Sequence, residues 1–470
     1  MSELVLENEL ELPKGWKWCK FQDVTDVVRG GSPRPKGNPK YFGGTIPWIM
    51  IRDITKEKGK FLTKTKDTVT EEGAKKSRLL KKGSLILSNS GTVCVPKILK
   101  VEGCIHDGFL TFPDIPKNMN IDYAYYWFEK IRTKIRQENQ QGVVQVNLNI
   151  QIVKIIDVPL PPLNEQKRIV SKIEELFSKI DSAKQLLEHT KLQLEQYRQS
   201  LLKSAFEGKL TEAWRKNNIN PNLKFFLDYT FVNINEQNES IQNLFSTIPK
   251  TWRIFELAQI ADVIDPHPSH RAPPVEANGF PFAGIGDIDE NGTINVTHSR
   301  KVGEKFIKHQ ENSYQINENS LGYGRVGTVG KVIRLRKQDF RYSLSPTLAV
   351  INNKKIIKSE LLFHELNSTQ FFQQVSQNIT GTTRSAIGII KLRKILLSVP
   401  PLEEQEQIVS QIEQGFSLIE NTTQIVNSSL QNLQTMKMSI LKQAFEGKLV
   451  PQDPNDEPAS ALLEKIKLKN

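Results

Sequence analysis

The sequence PPLNEQKRIVSKIEELFSKI at residues 161–180 returns as PPLEEQEQIVSQIEQGFSLI at residues 400–419, a shift of 239 positions. LLKSAFEGKL at residues 201–210 returns as ILKQAFEGKL at residues 440–449 with the same shift. No insertion separates these anchors, and about half of the 50 aligned positions are identical. An internal duplication therefore organises the chain of 470 residues.

The duplication extends upstream more faintly. LPKGW at 12–16 matches IPKTW at 248–252, RDI at 52–54 matches GDI at 286–288, and GTV at 91–93 recurs at 327–329. The repeated units are thus roughly 12–210 and 248–449, each with a variable front and a closely repeated back. Divergent fronts on matching backs suggest two sites of different specificity on one pseudo-symmetric frame.

The repeated backs predict long coiled-coil helices. Ile173, Ile180, Leu187, Leu194 and Leu201 follow a seven-residue period, and the second copy gives Ile412, Ile419, Val426, Leu433 and Ile440. Each helix is expected to span about 43 residues, roughly 65 Å at 1.5 Å per residue. Gly208 and Gly447 are typical of the position just after a helix end, and the duplication supplies each apolar seam with a partner in the same chain.

The fronts are expected to be mixed α/β. Short apolar runs predict strands at 46–51, 84–87, 93–99 and 331–335, and apolar periodicity predicts helices at 121–136 and 358–377. GYGRVG at 322–327 fits a glycine-rich phosphate motif, but no buried strand and helix flank it, so turns are the preferred interpretation. We expect a first front at 1–157, a first conserved helix at 158–210, a polar connection at 211–247, a second front at 248–399, a second conserved helix at 400–449 and a tail at 450–470.

Composition excludes several classes of protein. Hydrophobic residues make up 38% and charged residues 25%, as in ordinary globular chains. The N-terminus has no basic segment followed by an apolar core, and no run of 18 or more apolar residues occurs, which argues against secretion and membrane spanning. Cys19, Cys94 and Cys104 form an odd set without CxxC spacing, so we expect a reducing cytoplasm and no disulfide framework.

The net charge of +12 is unevenly distributed. Residues 1–157 carry +8 and residues 251–399 carry +6, whereas residues 400–470 carry −4. Two basic blocks are candidates for phosphate contact, with a solvated lysine-rich surface as the alternative. No Ser/His/Asp pattern, methyltransferase motif or convincing metal-ligand cluster is present, so no catalytic residue and no metal site are predicted.

The duplicated PLPPLNEQKRIV and AFEGKL signatures around two divergent fronts resemble the specificity subunit of type I restriction-modification systems. The resemblance covers nearly the whole chain. It implies an α/β fold with two mixed α/β target-recognition domains, separated by an antiparallel pair of long coiled-coil helices in a pseudo-twofold duplication. It also implies that the subunit reads an asymmetric, bipartite site on double-stranded DNA, with the helices as a ruler.

The resemblance further implies a non-catalytic chain that binds no cofactor itself. Two methyltransferase subunits would supply adenine N6 methylation with S-adenosylmethionine, and two motor-nuclease subunits would supply ATP- and Mg²⁺-dependent restriction. The alternative hypothesis is a stand-alone coiled-coil DNA-binding protein of architectural or regulatory type. A self-contained nuclease or methyltransferase is a third, which predicts turnover by the isolated chain.

Base readout needs polar or basic side chains on loops, with further basic residues on phosphates. The candidates in the first front are Arg29, Arg34, Lys36, Lys75, Lys76, Arg78, Asn89, Ser90, Gln145 and Asn147. Those in the second front are His270, Arg271, Arg300, Lys301, Arg325, Arg341, Ser345, Thr347, Thr382 and Arg384. For each of them, an exposed surface role without DNA contact is the alternative.

Candidates for methyltransferase docking lie in the repeated backs. They are Glu165, Gln166, Ile169, Phe177 and Phe206 with their repeats Glu404, Gln405, Ile408, Phe416 and Phe445. The alternative is that the apolar members only pair the two helices. Because the second helix region is acidic and the first basic, the two docking surfaces need not be equivalent.

Overall fold

A computed structural model describes residues 11–89, 92–140, 148–218, 230–267, 273–289, 291–297, 299–381 and 385–468. The chain forms two compact units. Unit 1 comprises Met1–Glu188 and Asn427–Asn470, and unit 2 comprises His189–Val426. Each unit therefore combines one front with a part of each long helix.

The first front alternates short strands and helices. Its strands are β1 (Lys17–Lys20), β2 (Val28–Arg29), β3 (Phe42–Ile49), β4 (Phe61–Leu62), β5 (Asp67–Val69), β6 (Arg78–Leu80), β7 (Leu85–Ser88), β8 (Pro96–Leu99), β9 (Gly103–Ile105), β10 (Phe109–Thr111) and β11 (Asp157–Leu160). Its helices are α1 (Ile51–Lys56), α2 (Glu71–Lys75), α3 (Ile115–Asn118), α4 (Ile121–Gln140) and α5 (Ile150–Lys154), with a 3-10 turn at Phe21–Asp23. The first long helix, α6, spans Leu163–Phe206.

The second front repeats this alternation. The polar connection contributes α7 (Glu212–Asn217), α8 (Glu239–Leu244) and a 3-10 turn at Ile234–Glu236. The helices of the second front are α9 (Leu257–Ile260), α10 (Glu304–Ser313), α11 (Ser359–Leu366), α12 (Thr369–Ser376) and α13 (Ile389–Arg393). Its strands are β12 (Arg253–Glu256), β13 (Ala261–Ile264), β14 (Phe280–Ala283), β15 (Arg300–Val302), β16 (Ser320–Gly324), β17 (Val332–Arg334), β18 (Ser343–Leu344), β19 (Leu348–Asn353) and β20 (Leu396–Val399). The second long helix, α14 (Leu402–Phe445), and a short helix, α15 (Ala459–Lys467), follow.

The two fronts use similar sheet plans, in which each sheet of unit 1 has one strand more than its counterpart in unit 2. Unit 1 contains sheets of order β2-β10-β7-β8-β4 and β5-β3-β9-β6, and unit 2 contains sheets of order β13-β19-β16-β17 and β15-β14-β18. A two-stranded antiparallel ribbon joins the start of each front to the strand before its long helix, β1 with β11 and β12 with β20. The mixed α/β fold class inferred from the sequence is confirmed.

Apolar packing holds each front to its helix segments. In unit 1 the ring of Phe445 on α14 lies 5.0 Å from that of Tyr123 and 4.9 Å from that of Trp127 on α4, and all three side chains are buried. Full burial of an aromatic or large aliphatic side chain contributes about 1.5–3 kcal/mol. In unit 2 the corresponding core includes Phe206 and Ile412.

The long helices contact each other within each unit. In unit 2, Arg198 lies over the ring of Phe416 at 4.3 Å, and a Cβ on Gly415 would meet the side chain of Leu201, so the contacts run in opposite directions along α6 and α14. In unit 1, Lys437 Nζ lies 2.6 Å from Asp181 Oδ1. Both helices end as predicted, because Gly208 and Gly447 adopt φ values of +71° and +68°.

Two local predictions were wrong. The segment 358–377 forms two helices instead of one, because the first ends at Leu366 and Ser368 caps the second, its Oγ accepting the amide N–H of Phe371. In the 322–327 motif, Gly322 and Gly324 lie within β16 instead of a turn, and a Cβ on Gly322 would meet the Ile333 side chain on β17. Gly327, with φ +78°, does lie in a turn conformation.

Candidate nucleic-acid interface

A parallel strand pair with an equivalent register occurs in both fronts. In unit 1, β3 pairs with β9 so that Ile49 lies beside Ile105, and the amide N–H of His106 then donates to Ile49 O at 3.1 Å. In unit 2, β14 pairs with β18 so that Ala283 lies beside Leu344, and the amide N–H of Ser345 donates to Ala283 O at 2.9 Å. His106 and Ser345 therefore occupy equivalent positions where the second strand of the pair ends.

The loop after the first strand of each pair is also closed in the same way. Asp53 Oδ2 accepts the amide N–H of Met50 at 2.9 Å, and Asp287 Oδ2 accepts that of Gly284 at 2.7 Å. These aspartates are the two that the faint upstream repeat aligned. The structure thus explains why this part of the repeat retains a carboxylate.

A second pair of equivalent residues lies beside the first. Asn89 follows β7 and its amide N–H donates to Gly108 O at 2.9 Å, while Arg325 follows β16 and its amide N–H donates to Thr347 O, also at 2.9 Å. We call residues 89 and 106–108 in unit 1, and residues 325 and 345–347 in unit 2, the strand-end sites. Four of the sequence-predicted residues therefore lie in the strand-end sites, Asn89 in unit 1 and Arg325, Ser345 and Thr347 in unit 2.

Basic side chains surround the strand-end site of unit 1. Arg29 Nε donates to Asp107 O at 2.6 Å, and Arg78 Nε donates to Arg29 O at 3.1 Å. Burial lowers the pKa of His106, Asp107 opposes this shift, and the positive charges of Arg34, Lys36 and Arg29 add to it. The structure thus gathers these sequence-predicted cations, all with exposed side chains, around one imidazole.

The predicted lysines of unit 1 form a neighbouring group. Lys75 Nζ lies 2.7 Å from Glu72 Oε1, and Lys76 lies over the ring of Tyr41 at 5.1 Å. Hydrogen bonding to Lys75 holds the pKa of Glu72 below its usual value, and Lys40 and Lys76 lower it further. Both predicted lysines are exposed on one surface of the unit.

The corresponding cations of unit 2 are more engaged by the protein itself. Arg325 is 4% exposed and its Nη2 lies 2.6 Å from Asp265 Oδ2. Arg341 donates to both carboxylate oxygens of Glu311, at 2.9 and 2.7 Å, and lies 3.3 Å from Glu304. These ion pairs orient the two guanidinium groups and neutralise much of their charge.

The remaining described candidates of unit 2 divide between strand β15 and the strand-end site. Arg300 Nη2 donates to Pro273 O at 2.6 Å, and Lys301 is exposed beside it. Ser345 Oγ and Thr347 Oγ1 lie 2.6 Å apart, and Thr347 Oγ1 accepts the amide N–H of Ile285 at 3.2 Å. Ser90, Gln145, Asn147, His270, Arg271, Thr382 and Arg384 lie outside the described residues.

A cleft of about 540 Å³ adjoins the strand-end site of unit 1. Its lining includes Phe42, Trp48 and His106, together with the predicted cations Arg34 and Lys36. The ring of Trp48 lies edge-on at 5.9 Å from that of His106 and at 6.2 Å from that of Phe42. Sequence reasoning did not select Phe42, Trp48 or His106. Only the strand register shows that His106 corresponds to the predicted Ser345.

Most of the predicted docking residues are buried inside their own unit. Gln166 Oε1 accepts the amide N–H of Asn120 at 2.8 Å and Gln405 Oε1 accepts that of Lys358 at 2.8 Å, so each glutamine ties a front to its long helix. The other members with buried side chains are Glu165, Ile169, Phe206, Glu404, Ile408 and Phe445. Phe177 and Phe416 remain half-buried.

The long helices expose other apolar side chains at repeated positions. Leu186 and its repeat Ile425 are 67% and 66% exposed, and Tyr197 and its repeat Met436 are 50% and 51% exposed. Within each helix the two positions are eleven residues apart, which places them on the same face at 3.6 residues per turn. Large apolar side chains exposed in a repeated pattern are typical of an interaction surface.

Membrane-spanning helices and metal-binding clusters are both missing from the described ranges. No helix in those ranges is long and apolar enough to cross a lipid bilayer. Among the same described residues, no group of three or more His, Cys, Asp or Glu side chains is placed to hold a metal ion.

Comparison with known proteins identifies the family. A family model described as the type I restriction modification DNA specificity domain matches residues 13–192 and again residues 249–429. The type I restriction enzyme EcoKI specificity subunit of Escherichia coli strain K12 is 25% identical and aligns over 97% of this chain and 96% of its own. The type I restriction enzyme MjaIX specificity subunit of Methanocaldococcus jannaschii is 24% identical over 88% of this chain and 90% of its own.

Solved structures share the fold. A chain in a structure that describes complex assembly and conformational transition of the type I R-M system gives a TM-score of 0.63 at 17% identity, covering 93% of this chain and 99% of that one. The crystal structure of the HsdS subunit from Thermoanaerobacter tengcongensis gives a TM-score of 0.53 at 17% identity, covering 94% and 99%. With the family model matched twice over most of its length, the chain belongs to the specificity subunits of type I restriction-modification systems.

Proposed function

We propose that this chain reads an asymmetric, bipartite site on double-stranded DNA, with one half-site for each unit. The observation that carries the proposal is the pair of strand-end sites. They are built on the same backbone hydrogen bonds, yet they carry different side chains, the buried Asn89 and the partly exposed His106 in unit 1 and the buried Arg325 and Ser345 in unit 2. A common frame with different hydrogen-bonding side chains is what two different half-sites require.

The surrounding charges support this proposal. Exposed basic residues such as Arg29, Arg34 and Lys36 in unit 1 can contact phosphates and fix the register of the protein on the duplex. In unit 2 the ion pairs with Glu304 and Glu311 hold the partly exposed Arg341 in a fixed orientation, which favours a directed contact over diffuse attraction. The long helices would keep the two half-sites at a fixed spacing, and the chain would act in the cytoplasm, where the DNA is accessible.

The chain would recruit partners and perform no catalysis itself. Two methyltransferase subunits would bind S-adenosylmethionine and modify adenine N6, and two motor-nuclease subunits would use ATP and Mg²⁺ for restriction. Two exposed apolar pairs at repeated positions, Leu186 with Ile425 and Tyr197 with Met436, support two docking faces on the long helices. We place methyltransferase contact on these residues and on the half-buried Phe177 and Phe416.

Mapping N6-methyladenine in DNA exposed to the methyltransferase subunits, with and without this chain, tests the proposal. We expect methylation at one bipartite sequence only when the chain is present. Identical methylation patterns in both samples would refute it. A chain that stays monomeric beside excess methyltransferase and still binds its site with full specificity would instead support the stand-alone DNA-binding protein.

A further inference from the structure

His106 is held in one tautomer by its own loop. Its Nδ1 lies 2.9 Å from the amide nitrogen of Gly108, and an N–H group donates only to an unprotonated ring nitrogen. Asp107 Oδ1 is also close, at 3.0 Å from Nδ1, but a proton on Nδ1 facing it would leave the Gly108 N–H without its acceptor. Burial and the neighbouring cations lower the pKa of the imidazole, which agrees with the neutral form. The single ring proton therefore lies on Nε2.

The ring is also fixed in position. The buried ring of Trp48 lies edge-on to the imidazole, with the ring centroids 5.9 Å apart. The backbone N–H of His106 donates to Ile49 O, as the strand register requires. A donor held in this way loses little conformational freedom when it forms a new hydrogen bond. The imidazole lines the cleft between exposed cations, Arg34 and Lys36, so the cleft combines a fixed neutral donor with a positive rim.

We propose that His106 is a specificity-determining residue of unit 1, which reads a base edge in its half-site by donating a hydrogen bond from Nε2. The proposal rests on the proposed function and names one group that carries it. The matching acceptors in the major groove are guanine O6 or N7, adenine N7 and thymine O4. Ser345 occupies the equivalent position in unit 2, where a hydroxyl close to Thr347 replaces the imidazole.

The roles of the neighbouring residues follow from their chemistry. Arg34 and Lys36 have flexible, exposed side chains and would contact phosphates, which positions the duplex without selecting a sequence. His106 differs from them because its donor direction is set by Gly108 and Trp48. Discrimination between bases is therefore expected from His106, and general affinity from the cations.

Two substitutions separate the base contact from the internal contact. In His106→Asn, the amide oxygen can replace Nδ1 as the acceptor for Gly108, but nothing replaces Nε2. In His106→Gln, the longer amide can place its nitrogen near the position of Nε2. His309→Ala changes an exposed histidine in unit 2 and is the matched control.

The experiment measures binding of the full chain, with its methyltransferase subunits, to duplexes that vary one base pair at a time in each half-site. We expect His106→Asn to bind the cognate duplex about 5- to 150-fold more weakly, the range for one base contact, and to lose discrimination at one position of one half-site. His106→Gln should keep part of that discrimination, and His309→Ala should match the unchanged protein. Circular dichroism melts of the variants report whether the fold is retained.

Each outcome has a defined meaning. Unchanged discrimination in His106→Asn, or equal weakening on every duplex, would overturn the role of His106 while leaving the proposed function intact. Failure of the unchanged protein to distinguish any duplex would overturn the proposed function, and the assignment of His106 with it. Loss of discrimination in both half-sites would also overturn the assignment, because unit 1 is expected to read only one.

Discussion

Replacing Glu404 with alanine should destabilise unit 2 far more than its position near a helix start suggests. Its side chain is buried, and its carboxylate accepts three hydrogen bonds. Trp252 Nε1 lies 3.0 Å from Oε2, and Thr211 Oγ1 lies 2.6 Å from Oε1, which also accepts from Arg215. These contacts join the start of α14 to the ribbon strand β12 and to the segment after α6.

The expected cost follows from what the substitution leaves behind. The alanine variant leaves the buried indole N–H of Trp252 without its acceptor and removes the anionic partner of the largely buried Arg215, which keeps the neutral acceptors Thr211 Oγ1 and Gly208 O. Breaking one partner of a buried ion pair typically costs about 3–5 kcal/mol. We therefore expect the free energy of local opening around Trp252 to fall by that amount, which corresponds to at least about 100-fold faster amide exchange.

Hydrogen exchange followed by mass spectrometry can measure this, because peptides covering 248–256 and 402–412 report the two sides of the contact. Glu406→Ala is the matched control, since the side chain of Glu406 is 61% exposed and forms a 2.8 Å ion pair with the partly exposed Lys358. A surface pair of this kind contributes about 0–1 kcal/mol. Equal exchange rates in the two variants would refute the reasoning that the buried carboxylate joins the front to the helix.

Three further predictions concern other parts of the fold. Arg325→Ala should lower the free energy of unfolding of unit 2 by about 3 kcal/mol, because the largely buried Asp265 loses its cation. Adding Asp265→Asn should restore part of that free energy, and no recovery in the double variant would contradict the ion-pair explanation. Leu187 and Leu194 are half-buried in the helix seam, and asparagine at both should destabilise the helix pair by about 1 kcal/mol each. The double variant should also lose bipartite recognition in duplex-binding measurements, and intact recognition would count against the spacer role. Burial raises the pKa of Glu365 from 4.5 to about 8, so the stability that its neutral form contributes is fully present below about pH 4.5 and is lost as pH rises through about 8. The melting temperature of Glu365→Gln should therefore fall less from pH 6 to pH 9 than that of the unchanged protein, and parallel decreases would contradict this.

Features that depend on local patterns could be predicted from the sequence. The seven-residue period and the glycines at 208 and 447 indicated the extent of both long helices, because helix periodicity and helix termination are encoded by neighbouring residues. The division at Ser368 was missed because a serine inside an amphipathic pattern begins a helix only when its side chain turns back to cap it.

The roles of side chains at the candidate interface needed the strand register. Arg341 is expected to be an exposed cation from the sequence, but Glu304 and Glu311 approach it from α10, thirty or more positions away. His106 was not selected at all, because its correspondence with Ser345 emerges only from the parallel pairing of β3 with β9 and of β14 with β18. Contacts of this kind join residues that no short window of sequence contains.

The distribution of identity between the two copies now has a physical explanation. Glutamine recurs at 166 and 405 because each side chain, fully buried, accepts an amide N–H from its front and donates to the carbonyl of Pro161 or Pro400 at the helix start. A residue with both an acceptor and a donor is required there, so change is costly in either copy. At the strand-end sites, the hydrogen bonds that the two copies share use only backbone atoms, and the side-chain contacts differ between the copies. Side chains at 106 and 345 are therefore free to differ, and a duplicated frame can read two unlike half-sites without altering the joints that hold it together.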